Sequence, residues 1–343
     1  MKKTTITLMI FVSAAFLIFI GCERKVIIEN SEVSLTGDCF SCHGEDGLLL
    51  AAQGEWLNSV HASGTSVDYT NRGGSDCSKC HSHQGFLEFL ETGEVSPPYD
   101  QVSAIHCFTC HAPHETGTLE LRADEPVELQ NGEIFDYGKG NLCVHCHYSR
   151  FDVRTITDNY EQTSSRFGAH HGPQGDLIAG TGGYEIDGYS YRNSGHATAV
   201  RDACAGCHMG QPERIHDGYK IGGHSFNMVD EDTGSDLSVL CQACHSDIDD
   251  YDYTADADHD YDGEIEGYQT EVDGLLDSLA ILLIAEGVLD STNHRPIEDI
   301  TIADGNVMGA LHNYGIVEED RSHGIHNYKY IVDLLQSSVD YLD

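Results

Sequence analysis

Twelve of the 13 cysteines in this 343-residue chain stand in pairs separated by two residues, and a histidine follows each pair directly. The six triplets are Cys39, Cys42 and His43; Cys77, Cys80 and His81; Cys107, Cys110 and His111; Cys143, Cys146 and His147; Cys204, Cys207 and His208; and Cys241, Cys244 and His245. In this C-x-x-C-H pattern, two thiols can bond the two vinyl groups of one porphyrin, and the histidine can bind its iron from the proximal side. Zinc sites, iron–sulfur clusters and disulfides do not require a histidine after every second cysteine. The spacing therefore predicts six covalently attached c-type haems.

Fifteen further histidines could bind a haem iron from its distal side. Six of them stand in local contexts that favour this role: His61, His114, His170, His196, His224 and His326. A second histidine gives a coordinatively saturated iron suited to electron transfer, whereas an open position leaves room for a substrate. His114 follows His111 by three residues, so we expect it to serve a different haem. The alternative for each of the six is a solvated histidine or one that binds a haem propionate.

An acidic segment after the sixth motif has the spacing of a calcium-binding loop. Its carboxylates alternate with other residues, at Asp258, Asp260 and Asp262. Gly263 follows at the position where such loops turn sharply. The twelfth position holds Gln269 instead of the usual Glu, although Glu266 and Glu271 are close by in sequence. The segment therefore predicts either a Ca²⁺ site or a solvated acidic loop.

The N-terminal segment resembles an export signal that ends at a lipid-attachment cysteine. Two lysines precede an apolar run, 6–20, that is short for a membrane span, which needs about 20 residues. The run leads to Cys22, as in the lipobox of bacterial lipoproteins, although Phe19 stands where Leu is usual. We expect residues 1–21 to be a lipoprotein signal peptide, Cys22 to be acylated and residues 22–36 to be a linker. The alternative is an ordinary signal peptide with a cysteine nearby.

The composition limits what can fill the core and what can bind the surface. Only 40% of the residues are hydrophobic, so we expect the porphyrins to provide much of the apolar interior. The formal net charge of −39 excludes a nucleic-acid-binding protein, which needs a basic face. It favours redox partners with basic docking patches, because opposite charge steers encounter.

The positions of the motifs and of the apolar residues predict a mainly α fold with extensive loops, packed around haems. We expect a hexahaem region over residues 37–250, with short helices and a loop over the glycine-rich stretch 172–195. Residues 251–343 are expected to form an acidic loop and a helical region that packs on the haem core. Apolar residues recur there at three- and four-residue spacing and predict helices over 264–289, 306–317 and 327–342.

Three segments in the later part of the chain share a layout with known multihaem proteins. They are Cys204-Ala-Gly-Cys207-His208-Met209, Gly222-Gly-His224-Ser-Phe226 and Ser322-His-Gly-Ile-His326. The layout is similar to that of electron carriers in the nitrite reductase/hydroxylamine oxidoreductase superfamily. The resemblance implies a mostly helical structure and supports His224 and His326 as ligands. The ammonia-forming nitrite reductases carry a C-x-x-C-K motif at the catalytic haem, whereas all six motifs here end in histidine.

Three functions are compatible with these patterns. The first, which we favour, is an electron carrier without catalytic residues, in which mostly bis-histidine haems pass electrons to one another. The second is a multihaem reductase acting on nitrite or hydroxylamine. The third is a subunit of an extracellular cytochrome filament. In each case we expect an exported protein held to a membrane by a lipid at Cys22, in the periplasm, at the outer membrane or at the cell surface.

Overall fold

The computed structural model describes residues 46–62, 65–71, 77–211 and 220–343. Before residue 250, the described chain folds into short helices joined by loops. The α-helices there are α1 (Gly47–Trp56), α2 (Cys77–His81), α3 (His83–Thr92), α4 (Cys107–Cys110), α5 (Pro113–Thr116), α6 (Gly140–Val144), α7 (Gln174–Ala179), α8 (His196–Ala199) and α9 (Cys204–His208). Short 3₁₀ helices lie at Thr65–Tyr69, Val153–Thr155, Gly223–Ser225 and Ser238–Ala243. Polar side chains cap the N-termini of the two longest of these helices, Asp46 at α1 and Ser82 at α3. Gly93 ends α3 with φ of 81°.

The strands among the described residues are two or three residues long and pair antiparallel. β1 (Val127–Glu128) pairs with β2 (Ile134–Phe135), and β4 (Val229–Asp230) pairs with β5 (Ser235–Asp236). β3 (Tyr160–Gln162) pairs with β6 (Ile300–Ile302), with Glu161 opposite Thr301. This last pair joins the part of the chain that carries the motifs to the C-terminal part.

The C-terminal part contains the longest helices that the structure describes, as the apolar spacing predicts. They are α10 (Tyr268–Ala285), α11 (Gly305–Asp320) and α12 (Tyr328–Leu342). α10 and α11 pack against α12 and against each other. No helix within the described ranges is both long and apolar enough to cross a membrane.

The larger apolar core lies between these three helices and the preceding region. Its fully buried side chains include Leu279 of α10, Met308 of α11 and Leu334 of α12. Ile156 and Leu177, which precede them in the chain, are buried in the same cluster. The C-terminal helices therefore pack on the motif-bearing region. A second, smaller cluster lies before residue 250 and consists of Val127, Leu129, Phe135, Val144 and Ala203.

The glycine-rich stretch 172–195 differs in part from the predicted loop, because it contains α7. The rest of the stretch is irregular and is fixed by side chains of the C-terminal helices. Asn313 Oδ1 accepts the Tyr184 N–H at 2.7 Å, and Asn313 Nδ2 donates to the Tyr184 carbonyl at 2.8 Å. The backbone N–H, Nε and Nη2 of Arg192 all donate to the buried Asp333 carboxylate. These contacts hold the stretch in place directly before His196.

Candidate haem-binding site

Five of the six C-x-x-C-H motifs lie within the described residues, and each begins in a short helix. These helices are α2, α4, α6, α9 and the 3₁₀ helix Ser238–Ala243. Residues three and four apart lie on the same side of a helix, so one turn brings both cysteines and the histidine to one side. Cys39, Cys42 and His43 of the first motif lie outside the described residues, and so does Cys22.

The histidine of each described motif faces a second histidine from a distant part of the chain. The pairs are His81 with His170, His111 with His224, His147 with His61, His208 with His326, and His245 with His196. Their ring centroids are 6.2 to 6.4 Å apart. Two imidazoles that bind one metal between them, each at about 2 Å, have centroids roughly 6 Å apart. The five pairs thus have the spacing of axial ligands on a shared iron.

Hydrogen bonds orient six of these ten rings through Nδ1. Backbone carbonyls accept from His111, His196 and His208, with partners Glu120, Ile325 and Phe226. Side-chain oxygens accept from His147, His224 and His326, with partners Gln174, Glu55 and Asp320. Because each partner is an acceptor, Nδ1 carries the proton and the Nε2 lone pair is left for a metal.

Burial favours the neutral form of three of these rings, those of His61, His147 and His208. Burial, followed by the charge of the neighbouring His147, lowers the pKa of His61 to about 4. Burial also lowers the pKa values of His147 and His208. Neutral imidazole is the form that binds iron, so burial holds these three rings in the state that iron binding would require near neutral pH.

The structure distinguishes His170, a predicted ligand, from the adjacent His171. His170 faces His81 across 6.4 Å, whereas His171 Nδ1 contacts the carboxylate of Glu319. Both residues have positive φ, 62° and 59°, so the backbone turns sharply and sends the two rings to different neighbours. Of this pair, His170 is therefore the candidate ligand.

The local contexts of three other predicted ligands can also be compared with the structure. His196 begins α8, whereas His61 lies five residues after the end of α1. His114 lies in α5 with its ring 5.6 Å from that of Phe108. The ring that faces His111 is that of His224.

Three residues that sequence analysis did not single out complete the surroundings of these rings. Glu55 and Asp320 are 5% and 3% exposed, and each contacts Nδ1 of a candidate distal ligand. The Phe226 ring lies 5.2 Å from that of His61 and 6.2 Å from that of His224, while its carbonyl accepts from His208. Phe226 therefore touches the ligands of three different motifs. No local pattern marks Glu55, because its partner is 169 residues away.

Cysteines of different motifs lie against each other. The pKa of Cys146 is raised chiefly because its thiol shares a hydrogen bond with Cys80, and that of Cys204 is raised chiefly by its hydrogen bond with Cys143. Burial, followed by the charge of Cys241, raises the pKa of Cys207, and burial, followed by the charge of Cys143, raises the pKa of Cys110. In motif order, the fourth motif therefore neighbours the second, third and fifth, and the fifth neighbours the sixth.

The predicted calcium residues also lie together. Asp258, Asp260 and Asp262 bring carboxylate oxygens within 4.8 Å of one another. The same is true of Asp260, Glu266 and Glu271.

Comparison with known proteins finds multihaem relatives, although no protein-family model matches the chain. The chain is 21% identical to the C-type polyheme cytochrome OmcB of Geobacter sulfurreducens, over 89% of this chain and 54% of OmcB. It is 24% identical to the C-type polyheme cytochrome OmcC of the same organism, over 80% of this chain and 43% of OmcC. The chain thus spans about half the length of the curated relatives it matches.

One solved structure shares the fold. The outer cell wall cytochrome OcwA superposes with a TM-score of 0.50 and 23% sequence identity, over 84% of this chain and 50% of OcwA.

Proposed function

We propose that the chain is a multihaem c-type cytochrome that transfers electrons through covalently bound, bis-histidine haems. The observation that carries the proposal is the set of five facing histidine pairs, each of which joins a C-x-x-C-H histidine to a second histidine at 6.2 to 6.4 Å. The sequence relationship to OmcB and OmcC, which are named as polyheme cytochromes, supports it. Six motifs imply six haems, and the haems would supply the one-electron chemistry.

The pairs assign distal ligands to five of the six irons. His170, His224, His61, His326 and His196 would bind the irons of the second to sixth motifs, in that order. His114 is then the ligand that we assign to the first motif, opposite His43. We choose His114 because we assign His224 to the iron of the third motif and the other four distal candidates to the irons of the second, fourth, fifth and sixth motifs.

The contacts between motif cysteines support a branched route for electrons. The hydrogen bonds Cys80–Cys146 and Cys143–Cys204 would bring the second and fifth haems to opposite sides of the fourth. The influence of Cys241 on Cys207 would place the sixth haem beside the fifth. The influence of Cys143 on Cys110 would place the third haem beside the fourth. We infer that the fourth haem is the junction and that the sixth lies at one end.

The same pairs favour an electron carrier over a reductase. A reductase needs an iron with an open or exchangeable position, where nitrite or hydroxylamine can bind. Each of the five described motif histidines faces a second histidine, so these five irons would be saturated.

We further propose that the chain is exported and held to a membrane by a lipid on Cys22, in the periplasm or at the cell surface. The apolar run before Cys22 and the chemistry of haem attachment support export, and the name of OcwA places that relative in the outer cell wall. The net charge of −39 supports redox partners with basic docking patches.

Haem counting and spectroscopy on the purified full-length protein test the proposal. We expect an intact mass that includes six haems and an oxidised spectrum in which every iron is low-spin. We also expect no turnover of nitrite or hydroxylamine. A high-spin ferric iron together with such turnover would favour the reductase, and fewer than six haems would overturn the ligand assignment.

A further inference from the structure

The acidic loop before α10 gathers five carboxylates into one cluster. Oxygens of Asp258, Asp260 and Asp262 lie within 4.8 Å of one another, and so do oxygens of Asp260, Glu266 and Glu271. Asp260 belongs to both groups and joins them. Within the described residues, none of the five forms a salt bridge; the ion pair in this loop is between His259 and Asp256. Like charges at this spacing repel one another, so a cation among them would be stabilising.

Glu271 anchors the cluster at a fully buried position. It is 0% exposed, and its Oε2 accepts the N–H groups of His259 at 2.7 Å and Asp260 at 3.2 Å. Its Oε1 accepts the N–H of Glu266 at 3.0 Å. These bonds fix the carboxylate against the loop backbone. They leave its charge without a cation in a place where an isolated charge is costly.

Glu266 supplies an independent indication of a ligand. Its Oε2 is enclosed, with less than 1 Å² of exposed area, and it has no hydrogen-bond partner. An oxygen of the same carboxylate lies within 4.8 Å of oxygens from Asp260 and Glu271. A buried carboxylate oxygen that approaches two other carboxylates and receives no hydrogen bond has the surroundings of a cation ligand.

The backbone is shaped to hold these oxygens together. Gly263 has φ of 102°, at the turn expected in the sixth position of a calcium loop, and Glu266 follows in the ninth. Gln269, in the twelfth position, donates to the carbonyl of Ser322 instead. Glu271, two residues after Gln269, brings a carboxylate to the cluster instead. On the helix side, a methyl group at Gly274 of α10 would overlap Asp260 Oδ2, so glycine there leaves the room that Asp260 occupies.

We propose that Asp260, Glu266 and Glu271, together with Asp258 and Asp262, bind one Ca²⁺ ion. All the donors are hard carboxylate oxygens, which favours Ca²⁺ or Mg²⁺ over metals that prefer nitrogen or sulfur. Ca²⁺ takes six to eight oxygens in flexible geometry, whereas Mg²⁺ requires an octahedron and retains water. A dense, irregular group of five carboxylates suits Ca²⁺. The bound ion would pin the loop that follows the sixth motif onto α10, and this role does not depend on electron transfer.

Calorimetric titration of the full, haem-loaded protein after chelator treatment tests the site. We expect one saturable Ca²⁺ site, binding of Mg²⁺ at least tenfold weaker, and a rise in Tm when Ca²⁺ is added. Glu266→Gln should weaken Ca²⁺ binding at least tenfold and abolish the rise in Tm, because it removes a ligand charge. Asp249→Asn, in the exposed acidic segment before the loop, removes the same charge outside the cluster and should leave Ca²⁺ binding within twofold.

Three results would overturn the calcium site. They are the absence of saturable Ca²⁺ binding, Mg²⁺ binding as tight as Ca²⁺ binding, and equal losses in Glu266→Gln and Asp249→Asn. Glu271→Gln should lose binding as well. Because Glu271 holds three backbone N–H groups, its variant is compared only if its circular dichroism matches that of the parent; Glu266→Gln decides the question in either case.

Discussion

The contacts on both sides of a histidine ring, at Nδ1 and opposite it, show whether that histidine is a candidate ligand. His196 and His326 donate from Nδ1 to a carbonyl and a carboxylate, and each faces a motif histidine with the rest of its ring. His171 also contacts a carboxylate, that of Glu319, but no motif histidine lies opposite it among the ring contacts of the described chain. The geometry around each ring, and not the residue type, separates candidate ligands from other histidines.

The adjacent pair His170 and His171 gives a matched test of this distinction. We expect His170→Ala to convert one iron to the high-spin ferric state, because it removes the ring opposite His81. His171→Ala should leave every iron low-spin, since it removes only a contact to Glu319. Electron paramagnetic resonance of the oxidised variants measures both. A high-spin signal from His171→Ala alone would show that the two residues are assigned the wrong way round.

The buried Asp320 carboxylate should tune the haem of the fifth motif. Its Oδ1 accepts from His326 Nδ1 at 2.7 Å, which makes the ligand more basic and favours ferric iron. Asp320→Asn keeps an acceptor oxygen and removes the charge. We expect it to raise one haem potential by roughly 60 mV, which corresponds to a tenfold change in a one-electron equilibrium.

Redox titration followed by absorbance measures this shift. Asp273→Asn is the control, because Asp273 accepts from Nδ1 of His323, which is not a proposed ligand. A titration that Asp320→Asn leaves unchanged would contradict the tuning role.

At the scale of elements, the helices that begin the motifs differ from the three C-terminal helices. Those that begin the motifs are one or two turns long and contain few apolar residues, so their own packing cannot hold them. α10, α11 and α12 share a buried apolar face and pack as a layer. The periodic leucines made this layer predictable from the sequence, because a three- and four-residue spacing requires no knowledge of the partner helix. The path of 172–195 was not predictable, because Asn313 and Asp333 fix it from helices more than 100 residues away.

Two glycines of α11 provide a test of how this layer packs. A methyl group at Gly309 would overlap the ring of Tyr184, whereas at Gly315 it would meet no atom within 4 Å. We therefore expect Gly309→Ala to lower the free energy of unfolding by about 1–3 kcal/mol through overpacking. Gly315→Ala should raise it by about 0.5–1 kcal/mol, because alanine loses less backbone entropy in a helix. Denaturant unfolding followed by circular dichroism compares the two, and a change of the same sign in both variants would contradict this packing.

At the scale of the whole molecule, the candidate sites depend on long-range chain contacts. The facing histidines are 49 to 118 residues apart in sequence. The facing residues could be chosen from the sequence, because the C-x-x-C-H spacing marks one member of each pair and five of the six distal candidates face a motif histidine. The pairing was not predictable, because it depends on which loop the tertiary fold brings to which motif. The role of Glu55 was not predictable for the same reason.

The acidic surface should control the rate at which small redox reagents react. With a net charge of −39, the protein attracts cations and repels anions over several ångströms. We expect electron exchange with a cationic ruthenium–ammine complex to slow about tenfold when salt screens this field. Exchange with ferricyanide should accelerate under the same change. Stopped-flow measurements at low and high ionic strength check both, and rates that do not depend on salt would contradict electrostatic steering.

The touching cysteines of neighbouring motifs have a consequence for biogenesis. Cys80 contacts Cys146, and Cys143 contacts Cys204, so a chain that reached this fold with unmodified thiols would hold reactive pairs that belong to different motifs. In an oxidising compartment such pairs can join to each other and no longer react with a porphyrin. Because folding brings thiols of different motifs into contact, the order of haem attachment and folding matters. On the proposed function, the thiols have to stay reduced and react with haem before the chain closes around them.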